Sequence, residues 1–266
     1  MSSLKRRLGA RASASEDEGS YLASVSDLMS GLLFVFMIAL MVFVLSLVEQ
    51  EKRKAQEVKR LKGADEAREE LLQELQDLLT REGVEIAIDS KQGVLRLKEG
   101  VLFQSGSADL GAEGDTVVGK IGTALADVLP CYTHSDAAPR PSRCPERSGE
   151  GLMDALFIEG HTDYRPLGVG KEFRDNWELS TARARSVYLS LTSHRPGLDS
   201  LRNGDSQAIL TVSGYADRRG VVPNDTDENR GKNRRIDLRF VLSPPREATT
   251  APVADVRERL AADGVE

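Results

Sequence analysis

One apolar segment constrains this chain more than any other feature. Residues 28–48 contain no charged side chain and begin directly after Asp27. Roughly 20 apolar residues cover a hydrocarbon core of ~30 Å, so the segment is long enough to cross a membrane as a helix. It is too long for the apolar part of a cleaved signal peptide and continues into the charged stretch 49–54. The sequence therefore predicts an uncleaved membrane anchor.

Asp27 is the candidate functional residue of this anchor. A carboxylate next to hydrocarbon is energetically costly, and such groups mark ion and proton pathways. We therefore predict that Asp27 takes up and releases a proton. The hydroxyl groups of Ser26 and Ser30 beside it are candidate neighbours on the ion path, where they could coordinate sodium or relay protons, or they could serve helix packing. The alternative is that Asp27 lies outside the hydrocarbon and caps the start of the helix together with Ser24 and Ser26.

Length and charge bound the rest of the chain. A chain of 266 residues has room for one or two domains, and a net charge of -6 argues against nucleic-acid binding. The predicted organisation has five parts. They are a disordered tail (1–20), a transmembrane helix (21–48), a helical linker (49–80), an α/β domain (81–243) and a flexible tail (244–266).

Two interpretations of the helical linker are open. The linker is rich in charged residues and contains no proline. Its apolar residues share one stripe of the helix: Leu61, Ala64, Leu71, Leu75 and Leu78. The stripe indicates either pairing with a second copy of the helix or a solvated helix without a partner, and Arg68 interrupts it.

From residue 84 the pattern changes to short strands and amphipathic helices. The predicted strands are 84–88, 94–97 with its continuation at 101–103, 156–158, 209–213 and 236–242. The predicted helices are 115–129 and 176–191. Elements that alternate in this way predict an α/β (α+β) sandwich with one layer of helices.

The two cysteines predict a disulfide. Cys131 and Cys144 bracket a proline-rich segment, and two cysteines that close one loop indicate an oxidising compartment. Such a bridge contributes about 3 kcal/mol in the chain-entropy model. A zinc site with His134 is the alternative, although no fourth ligand is evident nearby. Neither His161 nor His194 lies in a nucleophile or metal motif, so the sequence predicts no enzyme and no metal site.

Two segments of the α/β domain carry candidate binding residues. The first, 158–163, ends a predicted strand in a polar turn that contains Asp163. The second, 176–184, opens the next helix and contains Arg183. An acid and an arginine at neighbouring element ends could hold a ligand that bears both an amine and a carboxylate. An internal salt bridge and a helix cap are the alternative.

These segments belong to a set of five motifs that resembles the OmpA-like peptidoglycan-binding domain over about residues 97–242. The motifs are Val101-Leu102-Phe103 with 106–110, Gly160-His161-Thr162-Asp163, Asn176 through Leu179-Ser180 to Arg183-Ala184, Gly214-Tyr215-Ala216-Asp217, and Asn233-Arg234-Arg235-Ile236. The resemblance implies a βαβαββ sandwich. It also implies that Asp163 accepts hydrogen bonds from the amino group of a diaminopimelate stem residue and that Arg183 pairs with its carboxylate. Asn176 and Leu179 would shape the same groove.

Two features depart from this family pattern. The stretch 164–175 is longer than the family usually has, and the insertion with the two cysteines is not part of the minimal domain. Arg234 and Arg235 are predicted to brace the sheet rather than to contact ligand; the alternative is that one of them reaches the stem peptide.

The anchor, the linker and this domain together resemble the B subunit of ion-driven stator motors. The segment 24–37 is more similar to the Zorya anti-phage type than to the flagellar type, which usually has a tryptophan near the acid; here the only tryptophan is Trp177. The resemblance implies a homodimer inside a ring of about five ZorA-like A subunits, with peptidoglycan as the anchor. Cytoplasmic effectors would be indirect partners, without direct nucleic-acid contact. Asp27 would carry a permeating proton, or sodium, and no cofactor is implied.

The resemblance also predicts an orientation. Basic residues lie on both sides of the apolar segment, and their count alone would place the large domain in the cytoplasm. Peptidoglycan lies outside the inner membrane, so the resemblance predicts a single-pass inner-membrane protein with a cytoplasmic N-terminus and a periplasmic C-terminal domain. A flagellar-type stator subunit and a passive cell-wall tether are the alternatives, and a tether would need no carboxylate at position 27.

Overall fold

The computed structural model describes most of the chain. The described residues are 4–104, 106–133, 144–145, 152–168 and 172–244, with side chains from Val25 onward. The chain divides into two compact units, Met1–Val58 and Lys59–Glu266. The predicted flexible tail lies outside the described residues except for Pro244, and His134 lies outside them as well.

The first helix, α1, spans Leu4–Arg81. No proline occurs before Pro130, so no residue in this stretch lacks the backbone N–H that a helix needs. The helix includes most of the segment 1–20, where the structure differs from the predicted disordered tail. Because α1 begins well before Asp27, this residue lies inside the helix and not at its N-cap. The place of Asp27 on an ion path stays a prediction.

The apolar part of α1 is exposed on every side. The exposure of its large apolar side chains ranges from 42% for Val48 to 75% for Leu28. Among the helices that the structure describes, α1 is the one long and apolar enough to cross a membrane, with a mean hydropathy of 3.0 over an 18-residue window. A helix that is apolar all round needs apolar surroundings, which a bilayer or partner helices provide.

The C-terminal part of α1 belongs to the second unit and packs into its core. Leu71, Leu72, Leu75 and Leu79 are fully buried in one hydrophobic cluster with strand and helix residues of the domain. Leu61, at the other end of the predicted stripe, is 49% exposed. The buried stripe therefore covers its own domain, which neither of the two interpretations from sequence anticipated.

Leu75→Ala is expected to lower the free energy of unfolding by about 2–5 kcal/mol, because it removes a fully buried side chain from this cluster. Denaturant unfolding of the detergent-solubilised chain, followed by circular dichroism, would measure the change. Leu61→Ala on the same helix is the matched control and should cost less than about 0.5 kcal/mol. Equal losses for both variants would contradict the packing described here.

The second unit contains a five-stranded sheet with the strand order β1-β2-β5-β3-β4. The strands are β1 (Ala87–Asp89), β2 (Val94–Lys98), β3 (Leu152–His161), β4 (Leu210–Gly214) and β5 (Arg235–Ser243). The helices are α2 (Glu99–Leu102), α3 (Ala112–Val128), α4 (Asn176–His194) and α5 (Asp227–Asn233), with short 3-10 helices at Leu129–Cys131 and Pro196–Ser200. Strands β3 and β4 pair in parallel, and the other neighbours pair antiparallel.

Helices cover one face of this sheet. Ile236 and Leu238 of β5 lie in the same buried cluster as Leu125 of α3 and Leu191 of α4. Their neighbours along β5, Arg235, Asp237 and Arg239, are charged and point to the opposite face, because side chains alternate along a strand. The predicted α/β sandwich with one helical layer is therefore confirmed, and its βαβαββ order runs from β2 to β5 with β1, α2 and α5 added.

Two predicted elements were wrong in detail, and one covalent prediction was confirmed. Residues 101–103 do not continue the second strand, since Glu99–Leu102 form α2 and Phe103 makes only an isolated bridge to Leu110. The first strand begins at Ala87 rather than at residue 84. Cys131 and Cys144 form a disulfide with their Cα atoms 5.3 Å apart, which leaves no thiolate for zinc.

Candidate ligand-binding groove

The candidate groove lies where β3 ends and α4 begins, and two glycines bring these elements together. A Cβ atom at Gly160 would overlap the carbonyl group of Ser180, and one at Gly214 would overlap Thr181 Oγ1. Ser180 Oγ also accepts a hydrogen bond from the backbone N–H of Ala216 at 3.1 Å. The glycines of the motifs therefore serve close packing of α4 on the sheet.

Two polar residues fix the turn between β3 and α4. Asp175 is the N-cap of α4, and its Oδ1 accepts a hydrogen bond from the backbone N–H of Glu178 at 2.9 Å. Asn176 Nδ2 donates to the carbonyl oxygens of Asp163 at 3.2 Å and Arg165 at 2.9 Å. Asn176 thus shapes the turn that carries Asp163. Leu179, on the next turn of α4, is buried.

Asp163 is buried and accepts hydrogen bonds from two arginines. Its Oδ2 is 2.7 Å from Arg234 Nη1 and 3.3 Å from Arg165 Nη2, and its Oδ1 accepts from the backbone N–H of Arg165 at 2.9 Å. Burial acts to raise the pKa of Asp163, but these hydrogen bonds lower it below the ordinary value. Asp163 is therefore a charged acceptor at neutral pH.

Arg183 is only 2% exposed and is held on three sides. Its Nη2 lies 2.5 Å from Glu99 Oε1, its Nε donates to the carbonyl oxygen of Ser107 at 2.8 Å, and its guanidinium lies 5.3 Å from the ring centre of Phe103. Glu99 Oε2 is 2.8 Å from Arg234 Nε. Burial raises the pKa of Glu99 and lowers that of Arg183 from their ordinary values, against the opposing effect of the ion pair.

These contacts join Arg183, Glu99, Arg234 and Asp163 into one chain of ion pairs. The predicted pair of Asp163 and Arg183 is thus connected through Glu99, which the sequence analysis did not name, and through Arg234. The side chain of Arg234 is 32% exposed, against 8% for Asp163 and 2% for Arg183. Arg234 was expected to brace the sheet, with contact to the stem peptide as the alternative for one of Arg234 and Arg235. It is the more accessible of the two cations in this chain of ion pairs.

The opposite face of the sheet carries a second charged cluster, in which Arg235 does brace the sheet. Arg235 Nε donates to both oxygens of Asp237 at 3.1 and 3.0 Å. Arg239 donates to both oxygens of Glu159 at 2.9 and 2.8 Å. Burial acts to raise the pKa of Glu159, but the neighbouring His161 and Arg239 lower it to about 2. The carboxylates of Asp237 and Glu159 are therefore each paired with an arginine.

His161 lies between these two carboxylates. It is 1% exposed, its Nε2 is 3.6 Å from Asp237 Oδ2, and its ring stacks on Tyr215 with 5.3 Å between the ring centres. Burial lowers the pKa of His161. Glu159, His161 and Asp237 have ligand atoms within 4.8 Å of one another, as in a metal site. A divalent cation would have to displace an arginine from each carboxylate, so the cluster fits an internal ion-pair network better.

The predicted ion-path residues lie in the first unit. Asp27, Ser26 and Ser30 are within four residues of one another on α1, and all three are exposed. Ser30 Oγ donates to the carbonyl oxygen of Ser26 at 2.8 Å, so its lone pairs stay available to a cation or to water.

Comparisons with known proteins show that the chain is similar to a Zorya protein and to a motility protein. No family model matches it. It is 25% identical to the Zorya protein ZorB of Escherichia coli O139:H28 over 225 residues, which cover 85% of this chain and 81% of ZorB. It is 29% identical to the uncharacterized protein YtxE of Bacillus subtilis over 56% of this chain and 48% of YtxE. It is 35% identical to motility protein B of Bacillus subtilis over 31% of this chain and 28% of that protein.

The chain thus spans about half of YtxE and less than a third of motility protein B. Among solved structures, a MotB-like protein from Desulfovibrio vulgaris aligns with 70% of this chain and 99% of its own, at 26% identity and a TM-score of 0.48.

The chain thus combines an apolar N-terminal helix with a mixed α/β domain, and part of its sequence is similar to motility protein B. More particularly, the chain is a homologue of Zorya ZorB and of motility protein B, as the motifs predicted.

Proposed function

We propose that this chain is the B subunit of an ion-driven stator that is anchored to peptidoglycan and acts in Zorya-type anti-phage defence. The observation that carries the proposal is the similarity to ZorB over 85% of the chain. The exposed apolar helix with Asp27 at its edge supports it. In this proposal the chain crosses the inner membrane once, with its N-terminus in the cytoplasm and its α/β domain in the periplasm.

Asp27 is the proposed ion carrier. A proton, or sodium, would neutralise Asp27 and then leave it, and one charge that crosses the membrane releases ~2.3 kcal/mol per 100 mV. Ser26 and Ser30 would line the same path. Two copies of the chain inside a ring of about five ZorA-like subunits would couple this flow to rotation, and the motion would reach cytoplasmic effectors. The exposed apolar side chains of 28–48 supply the surface for the ring.

The groove around Asp163 is the proposed peptidoglycan site. Asp163 would accept the ammonium group of a diaminopimelate stem residue, and the arginines of the groove would bind its carboxylate. Arg183 is paired with Glu99, so a ligand reaches it only by displacing that carboxylate. Arg234 is more exposed than Arg183, although its Nε and Nη1 pair with Glu99 and Asp163. Asn176 and Leu179 would hold the turn and the base of the groove.

Asp163→Asn is expected to weaken binding to purified peptidoglycan about tenfold or more, because the neutral amide loses a charged hydrogen bond to the ligand. Sedimentation of the detergent-solubilised chain with sacculi would measure the effect. Asp154→Asn, at an exposed position of the same strand, is the matched control. If both variants sediment with sacculi as the parent chain does, the proposed site is wrong.

A flagellar-type stator subunit is the second candidate, which the 35% identity to motility protein B over 83 residues favours. Both candidates share Asp27 and the groove. Genes beside this one for flagellar components, and loss of swimming in a deletion strain, would select the flagellar function. A passive tether would share only the groove and would be insensitive to Asp27→Asn.

A further inference from the structure

Two exposed aromatic residues are the immediate sequence neighbours of residues of the candidate groove. Trp177 is 48% exposed and Tyr164 is 52% exposed. In the part of the chain that the structure describes beyond residue 48, they are the only aromatic members of the exposed large apolar side chains; the others are Val58, Leu61, Leu189 and Val221. Tyr164 directly follows Asp163, and Trp177 directly follows Asn176. In the described part of the second unit, the exposed aromatic residues therefore adjoin groove residues along the chain.

The backbone that carries both rings is held in place. The carbonyl groups on either side of Tyr164 both accept hydrogen bonds from Asn176. The carbonyl group of Trp177 accepts hydrogen bonds from Ser180 Oγ at 3.0 Å and Thr181 Oγ1 at 2.9 Å. Large aromatic side chains on a fixed backbone lose little conformational entropy when a ligand covers them.

The two rings add a chemistry that the groove itself lacks. The groove presents the charged groups of Asp163, Glu99 and Arg234, which suit an ionic peptide. Trp177 and Tyr164 present flat apolar faces with a polar edge. The C–H face of a sugar ring is also flat and apolar, and its hydroxyl and acetamido groups suit the polar edges. Peptidoglycan carries both kinds of group, because its stem peptides branch from glycan strands.

We infer that Trp177 and Tyr164 bind sugar rings of the glycan strand next to the stem peptide in the groove. This inference rests on the proposed peptidoglycan function and deepens it. The aromatic pair would make the intact wall a better ligand than a free stem peptide, since only the wall supplies ionic and sugar contacts together.

The fluorescence of Trp177 tests this directly, because it is the only tryptophan of the chain. The detergent-solubilised full chain would be titrated with soluble glycan chains that lack stem peptides. The expected result is a saturable blue shift as the exposed indole leaves water. No shift at any glycan concentration would overturn the inference. The same shift with a sugar-free diaminopimelate peptide would also overturn it, since Trp177 would then belong to the peptide site.

Variants separate this inference from the proposed function. Trp177→Ala is expected to lower affinity for sacculi about tenfold, as for a central aromatic contact, and Trp177→Phe should retain most of it. Leu189→Ala, an exposed apolar position on the same helix, is the matched control. If Trp177→Ala and Tyr164→Ala bind sacculi like the parent chain while Asp163→Asn binds more weakly, the inferred sugar contact is wrong, but the proposed peptidoglycan site around Asp163 is supported. If the parent chain itself fails to bind sacculi, the proposed function fails.

Discussion

Asp27→Asn is expected to abolish phage protection while leaving the chain in the membrane at its normal level. Asparagine has nearly the same shape as aspartate but no proton to exchange, so ion flow would lose its carrier while helix packing is kept. Efficiency of plating on cells with the complete operon would measure the effect. The expected value is that of cells without the operon, because a stator without ion flow performs no work.

Two further variants sharpen this experiment. Asp27→Glu keeps a carboxylate and should retain part of the protection. Ser46→Ala removes another polar group of the same apolar run, whose hydroxyl only donates to the carbonyl oxygen of Phe43 at 2.7 Å. It should protect fully, with immunoblots of the membrane fraction as the control for expression. Full protection by Asp27→Asn would make the chain a wall tether rather than a stator.

The sequence predicts those features that depend on local pattern. The apolar run, the alternation of strands and helices, and the disulfide of Cys131 and Cys144 each follow from residue type and spacing. The stripe of leucines in the linker was also recognised, but its partner was not. An apolar stripe indicates that one face of a helix is buried. The spacing of the leucines is the same whether a second copy of the helix or the helix's own domain covers that face.

The connections within the groove could not be predicted in the same way. Glu99 meets Arg183 across the fold, and no local pattern links two residues so far apart in the chain. Arg234 and Arg235 look equivalent in sequence. Only the alternation of side chains along a strand distinguishes them, because two successive residues at the start of a strand point to opposite faces. One arginine must then face the groove, as Arg234 does, and the other the charged face of the sheet, as Arg235 does.

Arg183→Met is expected to destabilise the domain by about 3–5 kcal/mol, because it leaves Glu99 buried without its closest cation. Denaturant unfolding followed by circular dichroism would measure the loss. Burial already raises the pKa of Glu99. The loss of unfolding free energy in Arg183→Met should therefore be smallest in acid, where Glu99 is protonated. It should grow as the pH rises through the pKa of Glu99 in the folded state. A loss that does not vary with pH would contradict this ion-pair account.

The double variant Arg183→Met/Glu99→Gln separates stability from ligand contact. Removing both charges should recover much of the lost stability, because no unpaired charge then remains buried. If the refolded double variant still sediments with peptidoglycan, Arg183 acts by positioning Arg234 and Asp163. If it is stable but no longer sediments, Arg183 itself binds the ligand carboxylate, and Glu99 occupies in the free protein the position that this carboxylate takes in the complex.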